Sequence, residues 1–470
     1  MARRLAVLFT LLAAPAALRA AEKPLSLPKD LPPYGEDRPL PVPALDQSRL
    51  PGGLTIWLVK RPGIPRLTAV LVTRGGTAAD PAGREGVAQV LADTIKEGTT
   101  TRTSKRIAEE LQSVGGEIGS SASDDAIFLT VDGLSSGAAT LLEILADVAQ
   151  HASFPAAEVE LARNNAIQGL LARESTPEFL AEKAFARAVY GDHPYRVVAP
   201  TRETLGLVTP ELLKAEFSRR FRPERSLLVV VGDLDPAAVS ALLARSLAGW
   251  KGAGEAPPAT PPSPGAGGRR IYVVNRPGSV QSLILAGRPT VTATDPQYYP
   301  LLVANTIFSG SFSSRLVKNI REDKGYTYSP RGAVVAREEG GLVRVRADVR
   351  NEVTGASTLE IFYELDRMGA TSPTADELSR AKRYQAGLYL LRNQIQGAVA
   401  RTLATNWVNG LPPQALGEFV TRINAVSADE VRKAGQSFYP SVTQTVVVVG
   451  DEAKIKAEMA QFGPLTTVQP

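Results

Sequence analysis

The sequence contains no cysteine and only two histidines, His151 and His193, among 470 residues. A disulfide framework and a thiolate metal site are both excluded, so stability has to come from core burial. Long apolar runs are missing as well. The single candidate, Leu5 to Leu18, falls short of the roughly 20 residues a spanning helix needs, and no transmembrane segment is expected. Basic residues are not gathered into stretches interleaved with aromatics, which leaves no electrostatic footprint for nucleic acid. The 53 Lys and Arg face 48 Asp and Glu, and setting aside Arg3, Arg4 and Arg19 leaves a net charge of only +2.

Those three arginines sit in residues 1–20, which read as a secretory signal. Arg3 and Arg4 form a basic start, an alanine-rich apolar stretch follows, and Leu18-Arg19-Ala20 before Ala21 offers a small-residue cleavage point. The alternative is an uncleaved anchor. An exported protein of the periplasm or cell envelope is expected. Residues 21–48 form a proline-rich leader that looks extended. A second low-complexity stretch, 252–268, carries Pro257-Pro258 and Pro261-Pro262 among small residues and reads as a linker. It separates two blocks, 49–251 and 269–463.

The blocks resemble each other. Ile56-Trp57-Leu58-Val59-Lys60-Arg61-Pro62-Gly63 recurs as Ile271-Tyr272-Val273-Val274-Asn275-Arg276-Pro277-Gly278, and Asp80-Pro81 as Asp295-Pro296. Val229-Val230-Val231-Gly232-Asp233 recurs as Val447-Val448-Val449-Gly450-Asp451. Several ordered matches at a near-constant spacing indicate a tandem duplication, with a period far too long for a solenoid. In the first block, Leu54–Lys60 and Leu67–Thr73 read as a strand pair. A helix from Val87 follows, with Val87, Val90, Leu91 and Ile95 on one face. A second helix starts at Ser104 and stops at Gly115-Gly116. A strand over Ala126–Val131, an amphipathic helix through Leu141 to Val148, a long helix from Ala156 and a closing strand over Leu227–Val231 complete the block. The expected class is α+β: two homologous halves, each a mostly antiparallel sheet with helices packed on one side.

Gly86-Val87-Ala88-Gln89-Val90-Leu91-Ala92-Asp93, running on to Gly98-Thr99, resembles the signature helix of the pitrilysin/insulinase metallopeptidases, which carries the inverted zinc motif H-x-x-E-H. The family itself consists of two such halves, so the resemblance covers nearly all of the chain after the leader. It implies a LuxS/MPP-like metallopeptidase fold in which the halves enclose a central cavity. Two histidines of that motif hold zinc and the glutamate acts as general base. Their positions here are Gln89, Asp93 and Ala92, and the remaining family ligand falls at Gly169. An amide is a poor zinc ligand, one carboxylate cannot hold the ion alone, and alanine takes no proton. The resemblance therefore implies no catalytic residue and no metal in this chain. His151 reads as a helix C-terminal residue, His193 as part of a turn, and Asp124-Asp125 as an exposed loop rather than a calcium site.

The second half is closer to the family. Ser313-Ser314-Arg315-Leu316 and Ile320-Arg321-Glu322-Asp323-Lys324-Gly325-Tyr326-Thr327-Tyr328-Ser329 resemble the motif whose arginine and tyrosine grip substrate across the cavity. The matching residues are Arg321 and Tyr328, a fork of donors and one directed hydroxyl. The alternatives are a helix-capping arginine and an ordinary strand tyrosine. The family also binds peptides by strand addition, and the corresponding strand lies near Gly119 to Ser123. The resemblance thus implies a non-catalytic, peptide-binding subunit of a heterodimeric zinc peptidase. Its catalytic partner would carry H-x-x-E-H and the zinc. A non-enzymatic scaffold or peptide-binding envelope protein of the same fold is the alternative. A self-sufficient metallopeptidase is disfavoured by the shortage of ligands.

Overall fold

The computed structural model describes residues 44–469; the expected signal and most of the leader lie outside them. The first half supplies strands β1 (Leu45–Arg49), β2 (Thr55–Lys60), β3 (Arg66–Arg74), β4 (Glu117–Ala122), β5 (Ala126–Leu134) and β6 (Ser226–Gly232). Its helices are α1 (Val87–Thr94), α2 (Ser104–Ser113), α3 (Ala138–His151), α4 (Ala156–Glu174), α5 (Pro177–Tyr190), α6 (Arg202–Gly206), α7 (Pro210–Arg220) and α8 (Pro236–Ser246). The second half supplies β7 (Arg270–Asn275), β8 (Gln281–Thr290), β9 (Arg331–Val335), β10 (Gly341–Arg350), β11 (Thr445–Gly450) and β12 (Leu465–Val468). With them come α9 (Tyr298–Asn305), α10 (Thr354–Ala370), α11 (Ala375–Arg392), α12 (Gln396–Val408), α13 (Ala415–Ala425), α14 (Ala428–Phe438) and α15 (Glu452–Ala460).

Two six-stranded sheets result, ordered β1-β2-β6-β3-β5-β4 and β12-β7-β11-β8-β10-β9. Both are mostly antiparallel, and five consecutive strands, β2-β6-β3-β5-β4 and β7-β11-β8-β10-β9, match one for one, as a duplication requires. The expected pairing of β2 with β3 does not occur. The closing strand β6 inserts between them, parallel to β2 and antiparallel to β3. Its Leu227 to Val231 run explains this, because a strand without polar alternation belongs in a sheet covered on both faces. β1 starts inside the stretch read as leader, since its backbone bonds to β2. The equivalent edge of the second sheet is filled by β12, beyond the expected boundary at 463.

Each half covers one side of its sheet with its own helices, giving two separate cores. The opposite faces are covered by exchange. Leu180, Phe185 and Val189 of α5 lie against Val447, Val449 and Leu285 of the second sheet. Val399, Leu403 and Ala404 of α12 lie against Val70, Val229 and Val231 of the first. A buried Leu, Val or Phe contributes about 1.5–3 kcal/mol, whereas an exposed ion pair contributes about 0–1 kcal/mol. The reciprocal helices therefore decide how the halves are held.

The Asp124-Asp125 pair is a second fastening and a correction to the exposed-loop reading. Asp125 is buried, accepting the Tyr195 hydroxyl at 2.6 Å and the Glu338 backbone N–H at 3.0 Å, while Arg337 donates to Asp124 at 2.6 Å. Desolvation pushes the Asp125 carboxyl above its ordinary value. The linker is fastened along its length: Arg219, Arg222 and Arg225 donate to the carbonyls of Glu255, Gly254 and Pro257. His193 joins it through Nε2 to the Pro261 carbonyl at 2.8 Å, while Nδ1 accepts from the Tyr195 N–H at 3.1 Å. These two contacts assign the neutral Nε2–H tautomer. No helix among the described residues is long and apolar enough to cross a membrane.

Candidate functional site

The signature helix α1 is set by its N-terminus. Gly86 takes a left-handed conformation at φ 101°, and Asp80 accepts the N–H groups of Gly86 and Ala88 at 2.8 and 3.0 Å, satisfying donors that a helix start leaves free. One turn on, the Gln89 side-chain amide donates to the Asp93 carboxylate at 3.0 Å. Burial raises the pKa of Asp93, partly opposed by Gln89 and Lys96. Ala92 is buried and points no donor anywhere. Asp93, Lys96 and Glu97 line a cavity of about 450 Å³ with Ser120 of β4 and Glu158 and Asn165 of α4. Gly169 does not line it; it is exposed, with open space where a Cβ would be.

These groups do not fit a zinc ion. The amide of Gln89 is committed to Asp93, Lys96 is paired with Glu97, and Ala92 and Gly169 bring no ligand. Among the described residues no three His, Asp or Glu side chains converge to hold a metal. His151 does not enter the cavity; its Nδ1 meets Asp147 at 2.9 Å at the end of α3. β4 is the outermost strand of its sheet, so its far edge is free for another strand.

In the second half, residues Val317–Asp323 form a π-helical turn, a wide turn common at functional positions. Ile320 anchors it in the core. Asn319 donates to Glu360 and Glu364 of α10 at 2.9 and 3.0 Å, and Lys324 pairs with Glu360 at 2.9 Å. Gly325 at φ 64° reverses the chain, as only glycine does at no steric cost. Tyr328 thereby returns onto Arg321. The guanidinium lies 4.9 Å from the Tyr328 ring and 4.2 Å from that of Phe312. Tyr328 is 81% and Phe312 65% exposed. Arg321 neither caps its helix nor forms an ion pair among the described residues, and Tyr328 precedes β9 rather than lying in it. The result is a guanidinium in contact with two aromatic rings and without a side-chain hydrogen-bond partner among the described residues. Phe312 was absent from the sequence reading, although it directly precedes the Ser313-Ser314 motif.

Arg315, in the same motif, has a different task. It is buried and grips Glu377 with two bonds, at 2.7 and 2.9 Å. This contact with Arg315 is the largest influence holding the Glu377 pKa down, to about 2. A depressed carboxylate stabilises the fold above its unfolded value near 4.5, and that contribution is lost as pH falls toward 2. Allowing for residual exposure it amounts to about 1–2 kcal/mol. Urea midpoints measured from pH 5 to 2 should fall less steeply for Glu377→Gln than for the natural chain. Parallel curves would remove the assignment.

The comparisons with known proteins agree with this architecture. Residues 55–198 match the profile described as insulinase (peptidase family M16), and residues 208–384 match the one described as peptidase M16 inactive domain. An uncharacterized zinc protease of Rickettsia felis is 24% identical over 85% of this chain and 96% of its own length. Another, from Bacillus subtilis, is 23% identical over 82% of this chain and 94% of its own. Among solved structures, the peptidase M16 inactive domain of Pseudomonas fluorescens superposes with a TM-score of 0.80 at 21% identity, covering 86% of this chain and 98% of that one. A protease from Helicobacter pylori gives 0.81 at 17% identity, over 87% and 99%. Together, the two profile matches, which span more than half of the sequence, and the shared two-sheet architecture show that the chain belongs to the insulinase family, peptidase family M16.

Proposed function

We propose that this chain is the non-catalytic, substrate-binding subunit of a two-chain zinc peptidase, exported to the periplasm or cell envelope. The carrying observation is the contrast between its two candidate sites. At the zinc positions the side chains satisfy one another and leave nothing for a metal. At the other, Arg321 touches the rings of Phe312 and Tyr328 and has no side-chain hydrogen-bond partner among the described residues. A charged fork left unpaired has use when a partner brings the group it recognises, here a peptide carbonyl polarised by zinc on a sister chain that carries H-x-x-E-H.

The free edge of β4 supports a second reading, a peptide-binding or scaffold protein that performs no hydrolysis, since strand addition needs only backbone bonds. Purifying the mature chain under mild conditions from its native envelope extract, and identifying co-eluting proteins by mass spectrometry, separates the two. A stoichiometric family member with an intact zinc motif is the expected result. Recovery of the chain alone, or with unrelated envelope proteins, would replace the first reading by the second.

A further inference from the structure

A second cavity, of about 260 Å³, lies among α9, α11, α12 and α13. Its wall contains two arginines, Arg392 and Arg401, and no acidic residue. Neither arginine forms an ion pair among the described residues. Arg401 lies flat on Phe128 of β5, 3.4 Å from the ring centroid, and reaches Ser121 of β4 with one long bond of 3.4 Å. Loss of water, with no carboxylate to offset it, lowers its pKa from the ordinary arginine value.

The opposite wall is aromatic. Tyr389 and Phe419 stack at 4.0 Å and 12°, and Tyr299 adds a tilted ring 5.8 Å from Phe419. Asn393, 3% exposed, also lines the cavity. Its Nδ2 donates to the Tyr389 carbonyl at 2.9 Å, whereas its Oδ1 has no hydrogen-bond partner.

We propose that this pocket binds the carboxylate of a peptide, with Arg392 and Arg401 taking the acid group and Tyr389 and Phe419 receiving an apolar side chain. Two arginines without a counter-charge recognise an oxyanion, and the Tyr389 and Phe419 rings that line the same cavity favour a peptide carrying an apolar side chain over a phosphate ester. Arg401 also touches β4, so the site flanks the free sheet edge. The inference does not require a zinc-bearing partner.

The carboxylate has two possible sources, a peptide C-terminus and an acidic side chain. Titration calorimetry on the mature chain with N-acetyl-Ala-Phe, N-acetyl-Ala-Phe-amide and N-acetyl-Asp-Phe-amide tells them apart. Binding of the free acid but not of Ala-Phe-amide supports the C-terminal source. Equal binding of the Asp peptide extends the site to side-chain carboxylates. Arg401→Met and Arg392→Met should each weaken binding about 10-fold or more. Arg401→Lys, which keeps the charge and the cover over Phe128, should weaken it less. Absence of binding by every probe, or equal affinity in folded Arg392→Met, overturns the proposal.

Discussion

Replacing Arg321 by Ala should lower the turnover of the assembled peptidase by about 10²-fold or more, the range seen when one donor to a developing oxyanion is removed. The fold should barely notice. Arg321 makes no hydrogen bond to another described side chain, and its stack on Phe312 and Tyr328 is exposed, which sets the stability cost at about 0.5–1 kcal/mol. Such a separation of activity from stability is what a substrate-facing residue predicts and a structural one does not. Arg321→Lys keeps the charge but loses the planar fork, so an intermediate kcat is expected. Tyr328→Phe keeps the ring that positions Arg321 and removes only the hydroxyl, so any loss it shows belongs to that donor. Steady-state kcat and KM of the co-purified complex on a peptide substrate are the measurements. Unchanged turnover for Arg321→Ala would sink the paired-subunit reading even if a zinc-bearing partner were found.

The parts of this picture that were legible in the sequence are those with a local signature. Gly115-Gly116 ends α2, Val87 to Ile95 forms a helix face, and the repeats of Ile56–Gly63 and Val229–Asp233 mark the duplication. The two candidate sites were locatable because the motif residues are contiguous. What could not be read depends on which distant segments meet. The insertion of β6 between β2 and β3 joins residues more than 150 positions apart. The one available hint was the unbroken apolar run of β6, which needs cover on both faces. The exchange of α5 and α12 follows from that same need, yet nothing in either helix names the sheet it covers. Arg315 and Arg321 share one motif and opposite fates. Only the position of Glu377, some 60 residues on, distinguishes the buried arginine from the free one. Asp124-Asp125 looked like a loop because its partners, Arg337 and the Glu338 N–H, come from the other half.

The largest stability effect is expected at Arg220, a fully buried side chain that meets Asp80, the cap of α1. Its guanidinium donates to the carbonyls of Gly75, Gly76 and Ala79 at 2.7, 2.8 and 3.1 Å, to Asp80 at 2.9 Å and to Glu216 at 3.0 Å. Every N–H direction is used, and Asp80 in turn caps α1. Arg220→Met fills most of the volume but leaves the Gly75 and Ala79 carbonyls without donors, Gly76 keeping the Ala79 N–H, and the Asp80 charge without a cation, while Glu216 retains Arg219. Breaking a buried pair from one side costs about 3–5 kcal/mol, a large share of the 5–15 kcal/mol typical of a folded protein. The deficit should depend on pH in a defined direction. Desolvation already raises the Asp80 pKa, and Arg220 is the leading opposing influence. Without Arg220 the folded pKa rises further above the unfolded value, so the extra cost grows as pH rises from about 4 and shrinks on acidification. Adding Asp80→Asn should therefore recover part of the loss at pH 7 and flatten that pH dependence, although the helix cap is weakened. Urea unfolding of the natural chain and the two variants at pH 5 and 7 reads both quantities. A loss below about 1 kcal/mol for Arg220→Met would mean that water replaces the guanidinium. The expected loss would instead show that the N-terminus of α1 is held by the buried charge network of Arg220, Asp80 and Glu216.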